Sequence, residues 1–372
     1  MATLLDYLHW RGDITLDIAP FCAADDLVMA RIAYIPFEDV VEFNDPIMVG
    51  EACRKLLLKE DVNVRISRKE DIEFLQLLMD SPRFSSMHLS RYVSRLDAQK
   101  EKQFAAITID VDEHLRYIAY RGTDNTLTGW KEDFNMSFMH CVPSQLEAAA
   151  YLDGAYVQDK HYRLSGHSKG GNLAVFAAAQ ANPVVQEKID AIYSFDGPGF
   201  HKHILASDGY RAICRKIVSI VPQTSIIGMM LDHGAEYTII HSTQSGLMQH
   251  DMYSWQMRRD GFEYLETVTS TSRFIDNTLR DWLEAQPPAQ REAFVDSLFY
   301  LLENVQEEKD EDGNVSRYRM VKKGIKLLRQ MDPELRAPLT QATKVLFLCM
   351  QNNAKLVLRQ RKQAQQMTVT EE

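Results

Sequence analysis

The chain is poor in cysteine. Five of them (Cys22, Cys53, Cys141, Cys214 and Cys349) are scattered through 372 residues, odd in number and without a C-x-x-C pair. That excludes a disulfide scaffold and the usual zinc spacings, and a reducing cytoplasm suits it best. No apolar run reaches the roughly 18–20 residues that cross a bilayer, so stable membrane insertion is not expected. The opening MATLLDYLHW has no basic stretch ahead of an apolar one and does not read as an export signal. Without such a signal, the RGD at Arg11-Gly12-Asp13 reads as a turn. Positive charge is also short. The formal net charge of −10 repels phosphate and argues against nucleic acid as a partner. What remains is ordinary globular composition, 45% hydrophobic and 25% charged, with ample material for a large core.

Three zones follow one another. Residues 1–100 mix short apolar runs with charged, helical stretches such as Arg68–Met79 and a buried element over Asp25–Tyr34, and they read as a lead-in or cap. Residues 101–265 alternate strand and helix patterns. Strands are expected at Phe104–Ile109, Leu115–Tyr120, Tyr162–Ser165, Asp190–Phe195, Lys216–Val221 and Glu236–Ser242. Helices are expected at Gln145–Gln158, Gly170–Ala181 and Ile204–Ile213. Such alternation implies βαβ units and a mostly parallel sheet covered by helices. Residues 266–372 carry apolar positions three and four apart and read as a helical region packing on the core. Its acidic stretch Glu307–Asn314 has the wrong offsets for a calcium loop and reads as a solvated turn. The basic cluster Lys355, Arg359, Arg361 and Lys362 reads as a solvated helix face.

The sharpest local signal is Gly166-His167-Ser168-Lys169-Gly170, a G-x-S-x-G match between a short strand and a small-residue helix. A chain that turns this sharply from strand to helix lifts the serine hydroxyl to the end of the sheet. Glycines two before and two after let strand and helix approach. The Lys169 amide then opens the helix, where it can donate to an oxyanion. Read structurally, the same residues are a glycine-rich turn. A phosphate loop does not fit, because the spacing misses G-x-x-x-x-G-K-[ST]. Upstream, Tyr120-Arg121-Gly122-Thr123-Asp124 closes the earlier strand, and Thr123 is placed to supply the second oxyanion donor.

YRGTD together with GHSKGGNLA resembles class 3 lipases, in which FRGT carries the oxyanion residue and GHSLGG the nucleophile. The likeness covers roughly residues 100–255. A wider likeness runs through LDYLHWRGD, YRGTD, GHSKGGNLAV, SFDGPGF, VPQTSIIGMML and QHDMYSW. It is to a bacterial family called Mbeg1-like, placed in the α/β-hydrolase superfamily. The resemblance implies an α/β-hydrolase fold and a serine nucleophile, and it names no substrate.

The base belongs after the last core strand, which points to His250 in QHDMYSW rather than His201, His203, His233 or His241. Read structurally, His250 is a loop residue paired with Asp251. The acid is harder to find. Class 3 lipases carry it in a D-x-V-P context one strand after the SFDGPG-like one, and here Val221-Pro222-Gln223-Thr224-Ser225 has no carboxylate. Asp196, in Phe195-Asp196-Gly197-Pro198-Gly199, is the first choice, since pancreatic-type lipases place their acid after this earlier strand. Asp232 is the second. The run Ser225–Leu231 offers Ile226, Ile227, Met229 and Met230 as an acyl pocket or lid, or as plain core.

The expected activity is cleavage of a carboxylic ester, in a small acyl ester or a lipid, through an acyl-enzyme on Ser168, with no metal or organic cofactor. Two alternatives stand beside it. One is a thioesterase or acyltransferase using the same triad, the other an inactive hydrolase fold serving as an interaction protein.

Overall fold

The apolar runs of the middle zone become neighbours in one sheet. A computed structural model describes residues 2–124, 126–232, 234, 236–267, 270–304 and 317–370. Its strands are β1 (Ile47–Met48), β2 (His88–Asp97), β3 (Lys102–Asp110), β4 (Leu115–Tyr120), β5 (His161–His167), β6 (Ile189–Phe195), β7 (Ile217–Pro222) and β8 (Tyr237–Ile240). A short ribbon of β9 (Met257–Arg258) and β10 (Gly261–Phe262) follows, then β11 (Tyr264–Leu265). The main sheet runs β1 to β8 in order and ends on β11. β4 through β8 are parallel, whereas β1 to β4 and the β8–β11 pair are antiparallel. Parallel strands in sequence order, helices on both faces and a serine turn after β5 make this an α/β-hydrolase fold.

Strand alternation decides which helix meets which face. Tyr117 on β4 and Arg163 on β5 are in register and face helix Ala23–Ile32. There the fully buried Asp26 accepts from the Tyr117 hydroxyl (2.8 Å) and from Arg163 Nε and Nη2 (3.1 and 2.6 Å). Three residues along β4, Tyr120 points the other way and donates to the Ala148 carbonyl (3.0 Å) in helix Pro143–Ala155. Thr108 on β3 shares a 2.9 Å bond with Tyr151 of the same helix. Further buried ion pairs, Arg83 with Asp25 (2.6 Å) and Arg31 with Asp71 (2.5 Å), fasten the N-terminal helices.

Two compact units divide the chain. The first spans Met1–Asp124 and Pro143–Ser272 and holds the sheet. The second, Asn125–Val142 with Arg273–Glu372, is helical. Within it, helix Leu127–Asn135 meets helix Pro288–Asn304 through Phe134 and Phe299 and through a Lys131–Asp296 ion pair of 3.0 Å. Trp282 donates to the Ala342 carbonyl (2.9 Å), and Asn353 to Asp281 (2.7 Å). No helix among the described residues is long and apolar enough to cross a membrane.

Two local departures have physical causes. The helix expected over Ile204–Ile213 is two short ones, Lys202–Leu205 and Asp208–Ile213, because Ser207 caps the second by accepting from the Tyr210 amide (3.2 Å). β2 escapes the alternation pattern because its pairing with β3 shifts register between Ser90 and Val93, beside Arg91 at φ +53°. The acidic stretch Glu307–Asn314 lies outside the described residues.

Candidate active site

Ser168 alone makes the turn between β5 and helix Lys169–Gln180, with φ +58° and ψ −135°. Such a backbone costs on the order of 1–3 kcal/mol and persists only where its surroundings impose it. Here they do. The Ser168 amide donates to the Phe195 carbonyl (2.9 Å), and its own carbonyl accepts from the Gly171 amide (2.9 Å). Gly166 backs onto Gly170, and a Cβ on Gly170 would stand 2.2 Å from the Tyr120 carbonyl oxygen. A Cβ on Gly122 would stand 2.9 Å from the Cβ of Ser168. The segment leaving β4 therefore lies directly against the turn, and Thr123 follows Gly122. Lys169 opens the helix. Its buried ammonium donates to the carbonyl and side-chain oxygens of Gln103, both at 2.9 Å. Its amide stands in the first turn of the helix, beside the serine.

Asp196 follows β6 in a second left-handed turn, at φ +49°, and is buried. Its amide donates to the Ile220 carbonyl on β7 (2.8 Å). His250 ends the short 3-10 turn Gly246–His250, and its Nδ1 lies 2.6 Å from Asp196 Oδ2. The other carboxylate oxygen accepts from the Ser225 hydroxyl and from the Gly228 amide (3.2 Å). Asn172, on the nucleophile helix, donates to the Pro198 (3.2 Å) and Gly199 (2.8 Å) carbonyls, tying down the bend that carries Asp196. Asp251 pairs with Arg68 rather than with His250.

The other candidates stand elsewhere. Asp232 is exposed, its backbone bridged to Phe200, and among the described residues it makes no hydrogen bond to a histidine. His241 faces Glu263 at 3.5 Å, and His201 stacks on His203. His233 lies outside the described residues. Met229 is buried, while Ile226, Ile227 and Met230 are half-buried on the β7–β8 loop. No group of three His, Cys, Asp or Glu placed to hold a metal occurs among the described residues.

Several residues at the site went unread in the sequence. Ser225 and Gly228 interrupt the apolar run that drew attention to Ile226 and Met229, and they are what grips Asp196. In QHDMYSW every polar or aromatic residue around His250 has a task. Gln249 Oε1 accepts from the Thr224 amide (2.9 Å), and the Gln249 carbonyl accepts from Trp255 Nε1 (2.7 Å). Tyr253 donates to Asp71 (2.6 Å). His167, inside the serine motif, and Tyr34, far upstream, also reach the site. Burial, and then the neighbouring His250, hold the His167 imidazole well below its usual pKa, so it is neutral.

A family model described as Mbeg1-like matches residues 78–300. Among solved structures, the chain is similar to the Rhizomucor miehei lipase propeptide complex, at 17% identity and a TM-score of 0.32, over 42% of this chain and 57% of that one. It is also similar to the M37 lipase, at 14% identity and a TM-score of 0.34, over 55% of this chain and 70% of that one. The match thus spans little more than half the length of the first lipase, and the fold assignment rests on strand order and the serine turn. No curated protein matches the chain.

Proposed function

The chain belongs to the Mbeg1-like family, and from that premise we propose that it is a serine hydrolase cleaving a carboxylic ester, in a small acyl ester or a lipid, through an acyl-enzyme on Ser168. The observation that carries this reading is the 2.6 Å contact between His250 Nδ1 and Asp196 Oδ2, on an acid whose other oxygen is already held by Ser225 and Gly228. A carboxylate only accepts, so Nδ1 carries the proton and Nε2 is left basic for the serine.

In the proposed sequence, His250 Nε2 takes the Ser168 proton as Oγ attacks the ester carbonyl. The amides of Thr123 and Lys169 receive the oxyanion. The proton passes to the departing alcohol, and water, activated by the same histidine, releases the acid. Asp196 orients His250 and balances its charge while it is protonated. The absence of a carboxylate after Pro222 is what keeps an inactive scaffold among the alternatives. Asp196 on the preceding strand supports the active reading instead. Thioester donors or acceptors other than water use the same residues, and the chain's five free thiols suit a reducing cytoplasm.

The test is covalent. A fluorophosphonate probe should label wild-type protein and leave Ser168→Ala unlabelled. Equal labelling of both, or none of the folded wild type, overturns the proposal. Nitrophenyl esters and acyl-CoA thioesters of graded chain length would then rank oxygen and sulfur esters.

A further inference from the structure

We propose that His167 and Tyr34 are positioning residues that fasten the base-bearing loop to the end of β4, so that base and oxyanion donor keep one register; this rests on the hydrolase reading above. His167 Nε2 lies 2.7 Å from the backbone carbonyl oxygen of His250. A carbonyl only accepts, so Nε2 carries the hydrogen. The other nitrogen of the neutral ring, Nδ1, is then an acceptor, and the Tyr34 hydroxyl at 3.0 Å is its donor. The Tyr34 oxygen in turn accepts from the Gly122 amide (3.1 Å), one residue before Thr123. The hydroxyl also donates toward the His167 carbonyl at 3.2 Å, so both of its acceptors belong to His167.

The direction of every bond follows from a donor-only amide at Gly122 and from the acceptor-only carbonyl of His250 and carboxylate of Asp196. From Gly122 the hydrogens point through Tyr34 to His167 and from His167 to the backbone of His250. From His250 the next hydrogen points to Asp196. His250 is thereby held at two points, its ring by Asp196 and its main chain by His167. The two imidazoles pack at 4.3 Å between centroids, and Trp255 closes the far edge of His167 at 5.8 Å. Tyr34 is itself steadied by the Arg31 guanidinium over its ring at 5.0 Å, and Arg31 is pinned by Asp71. A neutral donor suits this post. A second imidazolium so close would repel His250 in the step where that ring is protonated.

A purely packing role for His167 would be met by any ring of similar size, and that separates the readings. His167→Phe keeps the ring and loses the donor. His167→Gln keeps an N–H at similar reach. Tyr34→Phe removes one oxygen. On the full chain, with a nitrophenyl ester, His167→Phe should lower kcat by about 10- to 100-fold with KM within about twofold, because the base is misplaced rather than the substrate. His167→Gln should recover most of the rate. Tyr34→Phe should lie between them, and the double variant Tyr34→Phe/His167→Phe should be no slower than His167→Phe alone, since both act through one chain of bonds.

A second readout needs no turnover. The low-field proton resonance of the His250–Asp196 bond should broaden in His167→Phe and persist in His167→Gln. Wild-type rates and an unchanged resonance in His167→Phe overturn the proposal. If that variant does not fold, Tyr34→Phe decides, and a wild-type rate with an unchanged resonance there overturns it equally. If wild-type protein shows no Ser168-dependent labelling, the hydrolase reading fails by itself and the resonance still reads the positioning.

Discussion

The two faces of the sheet behind Ser168 are built on different forces. On one face, helix Ala23–Ile32 meets β4 and β5 through charge. Asp26 is fully buried and takes hydrogen bonds from Arg163 and Tyr117, while Asp25 with Arg83 and Asp71 with Arg31 repeat the device nearby. On the other face, helix Lys169–Gln180 brings Gly170 against the end of β4 and Gly171 against Ser194 on β6, with Ala174, Ala177 and Ala178 fully buried, and it closes on the strands by being thin. Close packing of small groups has no directional element, so its tolerance is a distance. Buried ion pairs are directional, and their weakness is a missing partner. The first face should therefore resist added atoms and the second should resist removed ones.

The largest expected effect comes from adding one methyl group on the thin face. The Cβ of Gly170→Ala would meet the Tyr120 carbonyl oxygen at 2.2 Å and the Gly122 amide nitrogen at 2.9 Å. Both are backbone atoms that cannot rotate aside. Loss of more than about 4 kcal/mol in chemical denaturation is expected, together with loss of probe labelling. A wild-type midpoint would mean that β4 and the serine turn stand further apart than this contact requires.

Removing a side chain on the charged face comes next. Arg163→Ala leaves Asp26 buried beside Tyr117 and should lose about 3–5 kcal/mol. Replacing both partners, as Asp26→Leu with Arg163→Met, should be more stable than Arg163→Ala alone, because no uncompensated charge is left inside. Burial pushes the Asp26 carboxyl from 3.8 up to about 6, with Arg163 pulling it down. A folded-state value raised in this way means the native protein holds that proton more tightly than the unfolded chain does. The group's contribution is full below 3.8 and is lost as pH rises through about 6. Relative to Asp26→Asn, wild-type stability should therefore decline from about pH 4 to about pH 6 and level off above. An increase over that range would reverse the assigned sign.

How legible these faces were in the sequence follows the same division. The thin face announces itself, because GHSKGGNLAVFAAA concentrates small residues just where strand must meet helix. Both β4 and β5 are readable from local apolar runs. The charged face is nearly silent. Asp26 and Arg163 stand 137 positions apart, and nothing local says that two charged residues will be buried together. The site behaves likewise. Ser168 and its glycines are a local pattern. Asp196 and His250 are 54 positions apart and could be placed only by strand order. Ser225, Gly228, His167 and Tyr34 act through hydrogen bonds between segments far apart in sequence, which no periodicity records.

The smallest of these effects tests a residue that breaks the division. Asn172 is a polar, buried side chain on the thin face. It takes a hydrogen bond from Gln145 (2.7 Å) and gives two to the Gly-Pro-Gly bend after Asp196. Asn172→Ala removes atoms from a face that should tolerate removal, so packing alone predicts little change. The hydrogen bonds predict otherwise. The Pro198 and Gly199 carbonyls and the Gln145 amide lose a partner, for a loss of about 1–3 kcal/mol. The freed bend should also loosen Asp196 and slow probe labelling of Ser168 beyond what the fall in stability explains at low temperature. Should labelling keep its wild-type rate, the bend is held by β6 and β7 alone, and the thin face is as indifferent to removal as its small residues suggest.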